Sequence, residues 1–188
     1  MGLALGAILF AVSAAFSNAQ GAASDPARAF MAATRDYAQM HRSLERQIGP
    51  IEITTSIEEI NRIIQQLAAA IRAERPDAKP GDFFTPALAP ELKASINEAL
   101  LADDFTAAEV IAAGRVDGID YGRVALRVNG AFPWVLGTAM FPCVIQALPE
   151  LPPELQYRIV GTDLVLIDIH GSLIVDILPS ALGWDTER

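Results

Sequence analysis

The chain has 188 residues, of which 23 are Asp or Glu and 14 are Lys or Arg, for a formal net charge of −9. That charge repels polyanions, so nucleic acid and anionic membrane surfaces are excluded as expected partners. A single cysteine, Cys143, excludes an intrachain disulfide, and a chain of this length buries enough apolar surface to fold on its core alone.

Residues 1–19, MGLALGAILFAVSAAFSNA, carry no charged side chain, and the apolar run from Leu3 to Phe16 is shorter than the ~20 residues of a spanning helix. This pattern predicts a secretory signal, although the first basic residue is Arg28 and a basic leader region is absent. Ser17 and Ala19 supply the small residues of a cleavage site, which places the mature start near Gln20, with cleavage after Ala23 as the alternative. The protein is therefore expected to be exported, periplasmic or extracellular, with residues 20–188 forming one domain.

Asp25-Pro26 reads as a helix start, a capping side chain followed by proline at the first helical position. Phe30, Ala33, Tyr37, Met40, Leu44 and Ile48 then recur at helical spacing until Gly49-Pro50 stops the pattern. Ser56 and Glu59 have the spacing of a capping box, and Ile57, Ile60, Ile64, Leu67 and Ile71 form the stripe of a second helix that ends at Pro76. The two helices are expected to pair as an antiparallel hairpin.

The stretch RPDAKPGDFFTPALAP predicts an ordered crossing loop anchored by Phe83 and Phe84. Leu92, Ile96 and Leu100 mark a third helix, and Thr106 with Glu109 opens a short fourth that closes near Gly114. From residue 119 the period becomes alternating: Val124, Leu126 and Val128 predict a half-exposed strand that ends at the Asn129-Gly130 turn. Pro133 and Pro142 limit pairing in the next segment, where a short helix is expected from Pro142 to Leu148. The fold class that follows is α+β, with helices over 25–114 packed on a C-terminal antiparallel β-meander within 119–188.

The final meander carries the most chemistry. Gly161-Thr162 and Gly171-Ser172 each place glycine first in a potential two-residue loop. On that register Asp168 lies opposite Val175 and Asp176 opposite Ile167, which puts the two aspartates on opposite faces. A three-residue loop over 170–172 would instead put them on one face, ~7–8 Å apart. The two-residue loop is the expectation, because Gly-Ser is the stronger hairpin signal.

Asp168-x-His170 places two metal-ligand types on one strand face. A stable transition-metal site needs three or four convergent ligands, and His41, His170 and Cys143 are far apart in the chain, so no metal site and no cofactor are expected. No nucleophile-elbow motif is present, and no catalytic residue is assigned. Cys143 falls either in the first turn of a helix, where a thiol is activated, or in the core, the commoner place for free cysteine. Phe132, Trp134 and Tyr157 could line a groove for a peptide, glycan or small apolar ligand, against the alternative that they pack the core.

The segments DYAQMHRSLERQIGPIEIT, GDFFTPALAP, VNGAFPW and ALPELPPELQYRIVGTDLVLIDIHGSLIVDILP resemble small exported bacterial proteins of unknown function with a helical N-terminal half and a C-terminal meander. The resemblance implies no activity. YRIVGTDLVLIDIHGSLIVDIL is similar to the end of the periplasmic nickel/cobalt homeostasis family, through a strand pattern with a glycine turn and not through a set of ligands.

The expected function is a non-catalytic periplasmic binding or envelope-associated interaction domain for a protein, peptide or small molecule. Phe132, Trp134, Tyr157, Asp168 and His170 are its candidate contact residues. The alternative is a small exported hydrolase, or a weak metal-binding protein, centred on Asp168 and His170 with Cys143 or Asp176 as helpers. Strands apolar on both faces require cover on both sides, by helices or by a second copy pairing through the sheet.

Overall fold

The computed structural model describes residues 25–49, 56–121, 124–138 and 140–183. The predicted leader and its cleavage point, and the link between the first two helices, lie outside the described residues. Among those described, no helix is long and apolar enough to cross a membrane.

Among the described residues, five α-helices precede a three-stranded antiparallel sheet, the α+β arrangement that the change of period predicts. Helix α1 spans Pro26–Ile48; the Asp25 carboxylate accepts from the Ala27 amide, and Gly49 ends the helix with φ +103°. Helix α2 spans Ile57–Glu74 behind Ser56, whose hydroxyl oxygen accepts from the Glu59 amide. Then come α3 (Ala89–Ala102), α4 (Ala107–Ala113) and α5 (Pro142–Ala147). Thr106 and Glu109 form both halves of the capping box at α4.

Of the expected stripes, that of α2 differs most. Along α1 Phe30, Tyr37 and Leu44 are buried and Ala33, Met40 and Ile48 pack partly buried on the same core, while Thr34, Ala38 and His41 are buried beside them. Along α2 only Leu67, Ala68 and Ile71 are buried, while Ile57 and Ile60 are exposed. The expected stripe of α3, Leu92, Ile96 and Leu100, is buried throughout.

Strands β1 (Leu155–Val160), β2 (Asp163–Asp168) and β3 (Leu173–Leu178) form a meander in the order β1-β2-β3. Val160 pairs with Asp163 across Gly161-Thr162, and only Gly161 of the two has positive φ, as a type II′ turn requires. One face of the sheet, with Leu155, Tyr157, Ile159, Leu164 and Leu166, joins the core made by the five helices. The other face, with Val165, Ile167, Ile174 and Ile177, packs on Phe132, Leu136, Val124, Leu126 and Val128.

The second cover is the chain itself, because the expected strand over 124–128 is an extended segment with the predicted alternation but no ladder. It turns at Asn129, whose φ is +61°. Asn129 and Phe132 donate to Ile174 and Ser172 along the outer edge of β3, and Thr138 donates to Ile159 on the outer edge of β1. One segment therefore crosses beneath the sheet and covers part of both edges. The apolar second face that raised the prospect of a second copy is filled from within.

The β2–β3 register corrects the expected one. Asp168 lies opposite Leu173 and Asp176 opposite Leu166, with an irregularity that leaves Val175 without an opposite residue. The loop is four residues, 169–172, because the Asp168 carboxylate captures the Gly171 amide at 2.7 Å and Ser172 takes positive φ. The bulge then restores the pairing. Both aspartates consequently face the helices.

Candidate metal centre

Four-residue spacing on α1 places Tyr37, His41 and Glu45 along one side of the helix. The end of β2 and the loop after it bring Asp168 and His170 against that side. Asp168 is fully buried, and three donors converge on its carboxylate. The Tyr37 hydroxyl donates to Oδ2 at 2.8 Å, the Gly171 amide donates to Oδ1 at 2.7 Å, and His41 Nδ1 lies 2.5 Å from Oδ2. The approach is close at Gly171, where a Cβ would come within 3.1 Å of Ile71 Cδ1 and 3.3 Å of the Asp168 oxygen, so a side chain there would push on both.

A carboxylate only accepts, so the short contact fixes the His41 proton on Nδ1. The opposite nitrogen, Nε2, is thereby aimed at Glu45 Oε1, 3.1 Å away, and at His170 Nδ1, 3.3 Å away. His170 Nδ1 and Glu45 Oε1 are 2.8 Å apart. The three donor atoms form a triangle on the outer side of His41.

Its dimensions bear on metal binding. Bonds of about 2.0–2.1 Å in tetrahedral geometry separate neighbouring ligand atoms by about 3.3 Å. The observed edges of 2.8, 3.1 and 3.3 Å need side-chain adjustments of a few tenths of an ångström. The Asp168–His41 contact is also the outer carboxylate–histidine link that orients metal-binding imidazoles.

The electrostatics follow from the same contacts. Burial disfavours the His41 imidazolium, but the hydrogen bond and charge of Asp168, reinforced by Glu45, outweigh it and raise the pKa above the ordinary 6.5. In the metal-free protein a proton on His41 Nε2 thus relieves the close approach to the Glu45 oxygen. Burial first, then the Asp168 charge and hydrogen bond, push the Tyr37 hydroxyl far above the usual phenol range; the Arg75 charge opposes this. Tyr37 is thus a fixed donor. The Arg75 guanidinium lies 5.3 Å from the ring centres of both Tyr37 and Phe83, which braces the tyrosine from behind.

Two of the residues singled out in the sequence, Asp168 and His170, meet here, and the expectation that the histidines are too scattered to converge is overturned. Cys143, by contrast, sits on α5 against the helix-side core. Asp176 is engaged elsewhere, accepting from the amides of Gly81, Phe83, Phe84 and Ile177 at 2.7–2.9 Å. Phe132 is buried under the second face, edge-on to a half-exposed Trp134 at 5.1 Å, whose indole donates to Ser172 Oγ. Tyr157 lies on the helix side between Phe30 and Phe84, beside a cleft of about 410 Å³ lined by Met140, Ile145 and Leu151. Phe132 and Tyr157 are on opposite faces and share no groove.

Glu45 escaped the sequence reading, and His41, counted there as a metal-ligand type, was not placed beside Asp168 and His170. Their signal was the i, i+4 spacing of His41 and Glu45 on a helix whose stripe was drawn through Met40.

Fold and site together define an α+β protein in which a buried Asp–His pair opens onto a His–Glu–His donor set. Comparison with protein-family models, with curated proteins and with solved structures finds no match for this chain.

Proposed function

We propose that this is an exported binding protein whose ligand is a divalent transition-metal ion of the zinc class, held by His41 Nε2, Glu45 Oε1 and His170 Nδ1. The observation that carries the reading is the donor triangle, with edges of 2.8–3.3 Å, backed by Asp168 on the far nitrogen of His41. Two imidazoles and one carboxylate suit zinc, nickel, cobalt or copper; calcium and magnesium prefer oxygen ligands alone. Export rests on the uncharged apolar stretch over residues 1–19.

The hydrolase reading has less support. Among the described residues, four clefts of about 60–410 Å³ are lined by other side chains and not by His41, Glu45 or His170. Equilibrium dialysis of the purified chain tests the proposal. One zinc, cobalt or nickel ion per chain is expected, with none retained by His41→Ala and no competition from calcium or magnesium. A chain that emerges free of metal, or a His41→Ala variant that binds as well as the parent, overturns it.

A further inference from the structure

We propose that the bound ion keeps one coordination position open to solvent, through which it is handed to an acceptor protein bearing imidazole or thiolate donors. This rests on the metal-binding reading above. Among the described residues the donor group has three members, one short of a closed tetrahedral site. Asp168 does not complete it, because it spends Oδ2 on Tyr37 and His41 and Oδ1 on Gly171.

Among the described residues, the side of the triangle that lacks a donor faces outward. His41 is fully buried and has Asp168 behind it, whereas the side chains of His170 and Glu45 are 46% and 27% exposed. The inner side of the triangle is thus closed by protein and the outer side is open. A catalytic ion would need walls to hold a substrate beside that vertex, and the four clefts above do not include these donors. An ion at an open surface position suits exchange of the ion itself.

The exchange involves no redox step. With an ion held by His41, Glu45 and His170, the open vertex would admit a lone pair from the acceptor. His170, the most exposed of the three, would be the first ligand to let go, Glu45 and His41 would follow, and His41 Nε2 would regain a proton from solvent once the ion had left. Imidazole and thiolate are the acceptor donors that compete best for such an ion.

The full chain loaded with cobalt(II) provides the test, with azide as the probe of the open vertex and 4-(2-pyridylazo)resorcinol as a model acceptor. Azide is expected to shift the visible cobalt bands with one-to-one stoichiometry while cobalt stays with the protein through gel filtration. Transfer of zinc to the chelator is expected to speed up in proportion to chelator concentration, about tenfold for a tenfold increase. Bands unmoved by saturating azide would mean a closed site, and a transfer rate independent of chelator would mean release before capture; either overturns the inference and leaves metal binding intact. Failure to load cobalt or zinc at all overturns the metal-binding reading, and this inference with it.

Discussion

Asp168 and Asp176 are both fully buried aspartates, on adjacent strands of one hairpin and on the same side of the sheet, yet they do opposite things. Asp176 is satisfied by four backbone amides, three of them from the crossing loop over 81–84, so it ties that loop to β3. Asp168 is satisfied by one amide and two titratable side chains. A carboxylate surrounded by amides has nothing left to transmit, whereas one bonded to an imidazole decides which nitrogen that imidazole offers. Burial alone does not separate the two; the identity of the donors does.

The comparison breaks most decisively at Asp176. Asp176→Ala leaves the amides of Gly81, Phe83 and Phe84 facing a cavity, and a buried donor without a partner costs about 1–3 kcal/mol. A loss of about 3–5 kcal/mol is expected in urea unfolding. The zinc affinity of the fraction that remains folded should stay at the parent value. An affinity that collapses with the D176A change would mean that the two aspartates act as one unit.

Asp168→Asn tests the other side. The amide keeps the size of the carboxylate but can turn its NH2 toward His41, which moves the imidazole proton to Nε2 and blocks the metal-facing nitrogen. Zinc binding is expected to weaken about 10–100-fold, the usual cost of losing an outer carboxylate. Titration against a competing dye checks this, and an unchanged affinity would remove Asp168 from the site.

Much of the frame was legible in the chain because local chemistry decides it. Asp25-Pro26 and Gly49 bound α1, Thr106 and Glu109 cap α4, and Gly161-Thr162 makes the two-residue turn, each through groups a few residues apart. Gly171-Ser172 carries the same turn signal and fails, because the Asp168 side chain captures the Gly171 amide and a bulge at Val175 absorbs the change. The site was half legible for a related reason. Asp168-x-His170 is local, but His41 reaches Asp168 across 127 residues, and its burial makes sense only once a carboxylate is opposite. An apolar stripe drawn on hydrophobicity passes through Met40 and overlooks a histidine whose polarity is satisfied from another element.

A smaller effect sharpens the role of Tyr37. Its hydroxyl shares Oδ2 of Asp168 with His41, so Tyr37→Phe keeps the contacts of the ring with Phe83 and Arg75 and removes only the donated bond. A loss of about 0.5–1.5 kcal/mol in stability is expected. Zinc affinity should fall less than in Asp168→Asn, and a larger fall would make the tyrosine, not the aspartate, the principal orienting group.

The mildest prediction concerns pH, and it separates the two aspartates without altering either. The folded-state pKa of His41 is raised above 6.5, so in EDTA the folded chain holds this proton more tightly than the unfolded chain. The stability His41 contributes is then fully present below pH 6.5 and is lost as pH rises through the folded value. Zinc reverses the sign, because the ion binds neutral imidazole and its stabilisation grows as the proton leaves. Asp176 accepts from amides, so it should contribute to neither trend. Urea midpoints of the parent and His41→Gln, followed across this range, should therefore converge with rising pH in EDTA and diverge in zinc. Midpoints that run parallel in both buffers would mean that His41 carries neither the proton nor the ion.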